Sequence, residues 1–326
     1  MNTNLFSATL WQMFFLVAFL GAGYLLAKIK FLPDGSGKVL SRLENALFVP
    51  ALILITFFDS FTVENLSKTW KIFVLSFAIG LLLFPIARLL ARLCDKDAYQ
   101  RNIYTYGLWF ANFGFMGNAV VKALFPAIFY EYLIFTIPLY ICIYGFAVPV
   151  LLLPAGGENK SLKNTLRSFL NPMFVSMLIG AVIGLSGLRL PEGILSPIRV
   201  AGDCMSPVAM LLTGITVASS NLGKVLRQKG IYLATVLRLI LFPAAVIGVF
   251  ALVRSVFSLG ENAFFATFVS LTVCAMSMPL GLNTVVIPAA YGKDTTSAAG
   301  MALISHLASC LTIPLIFWLM EIVLTH

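Results

Sequence analysis

Long apolar runs broken by short polar stretches are the dominant pattern of the chain. Reading for uninterrupted apolar windows gives ten segments, roughly 5–27, 39–58, 70–91, 103–127, 131–153, 171–187, 197–219, 231–254, 262–290 and 296–322. Most are near the length of roughly 20 residues that a helix needs to cross a bilayer. None shows the strict alternation of a half-buried strand. The pattern predicts an all-α polytopic membrane protein of ten transmembrane helices. The longest polar stretch, 154–170, divides the chain into units 1–153 and 171–326, with 154–170 as a connection between them.

Composition agrees. Of 326 residues, 60% are hydrophobic and 11% charged, against about 45–50% and about 25% in soluble chains. This argues against a soluble enzyme, a nucleic-acid-binding domain, a disordered chain and a secreted disulfide scaffold. The net charge of +9 needs no anionic macromolecule to explain it, because Lys and Arg sort between the connections. Odd-numbered connections hold 15 of them and even-numbered ones 6, with Arg238 inside the eighth span completing the 22. By the positive-inside rule the odd connections face the cytoplasm and both termini lie outside. The first apolar run starts at Leu5, and its charges, Lys28 and Lys30, follow it; it reads as a span rather than a cleaved leader. The five cysteines form no CxxC pair, so neither a zinc site nor a disulfide framework is expected, and no cofactor is expected.

The chain also repeats itself. Leu83-Phe84-Pro85-Ile86-Ala87 matches Leu241-Phe242-Pro243-Ala244-Ala245 at an offset of 158, and Pro50 matches Pro207 at 157. Asn118-Ala119-Val120-Val121 matches Asn283-Thr284-Val285-Val286 at 165, as Pro149 matches Pro314. Each unit holds five spans, and an odd number reverses direction. The halves are therefore expected to form a 5+5 inverted repeat, which is the signature of secondary transporters with a site at the repeat interface.

Spans 4 and 9 carry the chemistry. Span 4 contains Asn112-Phe113-Gly114-Phe115-Met116-Gly117-Asn118-Ala119, and span 9 contains Met278-Pro279-Leu280-Gly281-Leu282-Asn283-Thr284. Pro removes a backbone donor and clashes with the preceding turn, and Gly and Asn tolerate non-helical backbone. Both spans are expected to unwind near mid-membrane, where irregular backbone survives only if it lines a protein cavity. The freed helix N-termini suit a carboxylate. Asn112, Gly117, Asn118, Ala119, Pro279, Gly281, Asn283 and Thr284 are the expected substrate contacts.

These residues, in this order, resemble the auxin efflux carrier family, which includes plant PIN carriers and bacterial malate/malonate permease-like proteins. The resemblance spans essentially all ten segments. It includes Asn45 and Val49-Pro50-Ala51-Leu52, Asn112 with Gly117, Asn171-Pro172, Pro207 through Gly214, Arg238 with Pro243, Pro279, Asn283, Tyr291-Gly292, Ser305 and Pro314. It implies an NhaA-like fold related to the bile-acid sodium symporters, with spans 4 and 9 broken and crossing. It further implies a scaffold of spans 1, 2, 6 and 7, a transport domain of spans 3–5 and 8–10, elevator-type alternating access, and a homodimer formed through the scaffold. Plant members place a proline at each crossing; the matching positions here hold Ala119 and Thr284. The function implied is secondary transport of a small mono- or dicarboxylate, malate/malonate- or auxin-like, across the cytoplasmic membrane. The alternative is sodium-coupled symport of bile-acid-like or other hydrophobic anions.

Ionisable groups at bilayer depth are functional candidates. His306 and Asp203 are candidates for ion coupling, Arg238 for balancing the anion, and Glu44 and Lys122 for either a functional or an interfacial role. Two rival motifs are present in part. Gly184-Leu185-Ser186-Gly187 spells the serine motif of intramembrane proteases and would need His306 as the partner base of Ser186. Gly35-Ser36-Gly37-Lys38 resembles part of a phosphate loop, but Leu32 stands where that loop needs glycine.

Overall fold

The computed structural model describes residues 3–153, 172–219, 222–257 and 262–325, and the connection 154–170 lies outside them. The helices are α1 (Thr3–Lys28), α2 (Ser36–Ser60), α3 (Val63–Cys94), α4 (Ala98–Trp109), α5 (Asn118–Leu124), α6 (Pro126–Leu152), α7 (Pro172–Ser186), α8 (Glu192–Ser219), α9 (Lys229–Phe257), α10 (Ala263–Met276), α11 (Asn283–Ala290) and α12 (Thr296–Thr325). A short helical segment, Leu222–Leu226, precedes α9. Among the described residues there is no strand, only a single-residue antiparallel bridge between Ala111 and Leu280.

Six helices, α2, α3, α6, α8, α9 and α12, are long and apolar enough to cross a membrane, and shorter apolar helices accompany them. The outer faces of α3 and α9 are rows of open apolar side chains, such as Leu82 and Leu89 on one and Val249 and Leu252 on the other. Patches of this size are uncommon on soluble monomers, and hydrocarbon is the solvent they suit. The protein is a multi-pass membrane protein.

Capping, not hydropathy, fixes the helix starts, so α3 and α4 begin before their apolar windows. Thr62 accepts from the Asn65 N–H at 3.2 Å to start α3, and Asp97 accepts from Gln100 at 2.9 Å to start α4. Asn262 accepts from Phe265 at 2.9 Å to start α10. Each side chain satisfies one of the donors that every helix start leaves unpaired. Inside the helices, wide π turns at Glu44–Phe48 and Leu237–Leu241 immediately precede Val49-Pro50 and Phe242-Pro243. The carbonyl four residues before each proline lies within that turn, so widening it relieves the clash the ring would cause.

Glycine sets the closest helix contacts. α1 lies along α8, where a Cβ on Gly23 would strike the Leu211 backbone and one on Gly214 the Leu20 backbone. α7 meets the second half of α2 in the same way, through Gly180 and Gly184. In lipid there is no hydrophobic drive between helices, so close backbone approach supplies the attraction. Gly214→Leu is therefore expected to destabilise the fold by about 1–3 kcal/mol or more. It should lower the thermal unfolding midpoint in detergent, whereas Gly248→Leu, which has nothing within 4 Å of its Cβ position, should leave the midpoint unchanged.

Candidate functional site

Two helices stop short and face each other. α4 ends at Trp109, and Phe110 is extended (φ −115°, ψ 120°). The chain turns at Asn112 and re-enters helix through the π turn Phe113–Gly117 and α5. α10 ends at Met276 and α11 begins at Asn283. Pro279 sits between them; it has no N–H to continue a helix. The two interruptions touch. Ala111 pairs with Leu280, and the Asn112 N–H donates to the Pro279 carbonyl at 2.7 Å. A Cβ on Gly281 would lie 3.1 Å from the Phe110 carbonyl oxygen, so glycine gives the two segments room to pass. Met278, Leu280, Leu282 and Phe110 are all buried.

The first interruption lies N-terminal to where the sequence pattern places it. Gly117 keeps helical dihedrals (φ −62°, ψ −42°). Its missing Cβ makes way for the Tyr132 hydroxyl, and the missing Cβ of Gly114 for that of Tyr140. Tyr132 in turn donates to the Phe113 carbonyl at 3.0 Å. These glycines serve ring packing rather than the break itself.

Four half-helix ends meet here, and their charges are treated unequally. Arg238, fully buried, donates to the carbonyl of Leu108 at 3.1 Å and to that of Met278 at 3.5 Å, with the Met276 sulfur 3.9 Å away. Leu108 lies in the last turn of α4 and Met278 two residues past the end of α10, on the side where each helix dipole is negative. The positive ends, at Phe113–Gly117 and at α11, have no acidic residue in their first turns. The net local charge is therefore positive.

A small cavity of about 10 Å³ lies against those positive ends, lined in part by Tyr106, Asn112, Tyr140, Tyr144, Gly281 and Asn283. That volume holds about one water. The Asn283 amide donates to the Tyr106 hydroxyl at 2.8 Å and to that of Tyr144 at 3.5 Å. His306 Nδ1 lies 2.7 Å from the Ala302 carbonyl, and Nε2 lies 3.0 Å from the Asn112 amide nitrogen. A carbonyl only accepts, so Nδ1 carries the proton. Nε2 of the neutral ring then accepts from Asn112 Nδ2. This assignment, made from the hydrogen-bond network, leaves Asn112 Oδ1 unpartnered. Asn283 Oδ1 and the Tyr140 hydroxyl are also buried without a partner. Buried polar atoms are normally satisfied, so three orphans around one cavity mark a place for a polar guest.

Asn112, Gly281 and Asn283 thus line one cavity, with Pro279 holding the Asn112 backbone. Thr284 is buried but spends its hydroxyl on the Gly281 carbonyl at 2.8 Å. Asn118 opens α5, a turn away, with Oδ1 buried and unpaired. Ala119 follows in α5, and its side chain lies outside the described residues. Lys122, in the last turn of α5, is exposed. Asp203 is exposed on α8, one turn past Arg199, and does not line the cavity. Glu44 is fully buried in the π turn of α2, with neither carboxylate oxygen paired.

Ser186 is exposed, and its hydroxyl donates to Ile183 at 2.7 Å. Both ring nitrogens of His306 are engaged elsewhere, so the protease pairing of these two residues is not formed. The hydropathy pattern passed over Tyr106, Tyr140 and Tyr144, which read as apolar bulk. Their signal was the hydroxyl: a Tyr in mid-span needs a polar partner, and Tyr140 and Tyr144 stand one turn apart with rings stacked at 6.0 Å.

A family model described as membrane transport protein matches residues 8–317. No curated protein sequence matches the chain. Asn112→Leu and Asn283→Leu are each expected to cut solute uptake into proteoliposomes at least tenfold with normal expression and monodispersity. Ser186→Ala should leave uptake at the wild-type level; a Ser186→Ala variant as inactive as the asparagine variants would return the serine to the chemistry.

Proposed function

From the premise that this chain belongs to the membrane transport family of auxin efflux carrier-like proteins, we propose that it is a secondary carrier of a small organic anion, a mono- or dicarboxylate, across the cytoplasmic membrane. The observation that carries the anion is the electrostatic asymmetry at the crossing. Arg238 donates to carbonyls at or just past the two negative helix ends, and the first turns of the two positive ends hold no acidic residue. The carboxylate sits on the N–H groups there, oriented by Asn112, Asn283 and the tyrosine hydroxyls. In this reading the chain is a ten-span 5+5 inverted repeat. The cavity is too small for a carboxylate as it stands, so the crossing segments must part and close in each cycle. A larger cleft of about 360 Å³, bordered by Lys38, Gly292 and Lys293, lies where α2 begins and α8 and α11 end. On the positive-inside orientation it is the cytoplasmic mouth, and its lysines draw anions in. An elevator step must break the bond from the Asn45 amide to the Val286 carbonyl, 2.9 Å long, which ties α2 to α11.

His306 supplies the coupling. When Nε2 gains a proton it becomes a donor, so Asn112 must turn its oxygen towards the ring. The amide nitrogen then faces the cavity, and an acceptor wall becomes a donor wall. Proton and carboxylate therefore bind together. The second reading, sodium-coupled symport of a more hydrophobic anion, draws on the same orphans, since Asn112, Asn118 and Asn283 offer neutral oxygens of the kind a hard cation takes.

Proteoliposomes separate the two. Carboxylate uptake driven by an inwardly directed proton gradient without sodium is the expected result, and strict sodium dependence would replace the first reading by the second. His306→Gln is expected to abolish acid stimulation while leaving counterflow exchange at fixed pH measurable. An unchanged pH profile in this variant would remove His306 from coupling.

A further inference from the structure

Three arginines converge at the α3–α4 corner, a place the transport cycle does not use. Arg88 and Arg92 stand one turn apart near the end of α3, and Arg101 lies in the first turn of α4. Together they wall a cavity of about 230 Å³, and they are its lining among the described residues. Arg88 donates to the Asn102 side-chain oxygen at 2.7 Å. Among the described residues none of the three pairs with a carboxylate. Elsewhere, basic groups at the membrane edge do find acids: Lys68 pairs with Glu64 at 2.7 Å, and Arg199 grips Asp59 through both terminal nitrogens. The acids of this corner are turned to the backbone instead. Asp95 accepts from the Asp97 N–H at 2.8 Å, and Asp97 caps Gln100.

Guanidinium groups held this close repel each other unless an anion sits among them, and their planar forks suit phosphate oxygens. Beside them on α3 the outward wall is apolar: Ile86, Leu89 and Leu93 are 48%, 62% and 68% exposed. A basic cavity of about 230 Å³, on a helix that also carries an exposed apolar row, matches one ligand chemistry, a charged headgroup on acyl chains. The same corner lies on the face that the distribution of Lys and Arg assigns to the cytoplasm, where basic pockets between helices take anionic lipid headgroups.

We propose that Arg88, Arg92 and Arg101 form a binding site for the phosphate of an anionic phospholipid, whose chains run along Ile86, Leu89 and Leu93. The proposal is independent of the transported solute. It is tested on the purified full chain in detergent by titrating phosphatidylglycerol, phosphatidylcholine and inorganic phosphate separately, reading retention by native mass spectrometry and thermal stabilisation. Phosphatidylglycerol is expected to be retained and to stabilise, and phosphatidylcholine to do neither. Each basic group near an anionic surface is worth about fivefold, so R88Q/R92Q/R101Q should weaken phosphatidylglycerol binding on the order of a hundredfold. Arg92→Gln alone, a change at an exposed side chain that the fold tolerates, should cost about fivefold, and R88K/R92K/R101K should restore much of the loss. Equal retention of both lipids, or no change in either glutamine variant, would overturn the site. Stabilisation by inorganic phosphate as strong as that by phosphatidylglycerol would make it a free-phosphate site and overturn the lipid assignment.

Discussion

Backbone polar groups released inside a bilayer have no water to turn to, and everything distinctive in this molecule follows from how it satisfies them. Two helices are interrupted among buried residues, which frees carbonyls at two ends and N–H groups at two others. The cut strands pair with each other across Ala111 and Leu280, and the Asn112 N–H takes the Pro279 carbonyl. What that pairing leaves over on the negative side goes to Arg238. Burying a guanidinium at this depth is costly unless its donors are met; here backbone carbonyls of two interrupted helices meet them. The two helix starts have no acidic residue in their first turns, and the proposed anion rests on that imbalance.

The packing around the crossing follows from the same constraint. A non-helical turn is thin, and the space beside it must be filled by something large with a polar tip. Tyrosine meets both needs. Tyr132 and Tyr140 press their hydroxyls into the places where Gly117 and Gly114 lack a Cβ, and Tyr106 reaches the Asn283 amide. Glycine and tyrosine work as matched pairs, and substituting either side disturbs the other. Among the buried side-chain polar atoms left without a partner, those of Asn112, Asn283 and Tyr140 surround one cavity. The remainder of the chain gives this centre a rigid surround through helices that touch backbone to backbone at Gly23, Gly180, Gly184 and Gly214.

The sequence by itself determined that the chain crosses a membrane repeatedly, roughly where each helix runs, and that the segments around Asn112 and Pro279 are special. Hydropathy is a property of composition along the chain, and proline and asparagine at mid-span act on their own backbone, so both can be read without partners. The tertiary structure decided which residues share a site. Gly117 read as a breaker and proved to be a seat for a tyrosine ring, while Tyr106, Tyr140 and Tyr144 read as apolar filling and proved to bring hydroxyls to the cavity. Arg238 read as a charge facing an anion, and the fold turns it to the carbonyls of two separate helices. The tautomer of His306 likewise depends on Ala302 and on Asn112, 194 residues away in the chain. A hydrogen bond is a relation between two groups, and when the partners lie on different helices only the folded arrangement can reveal it.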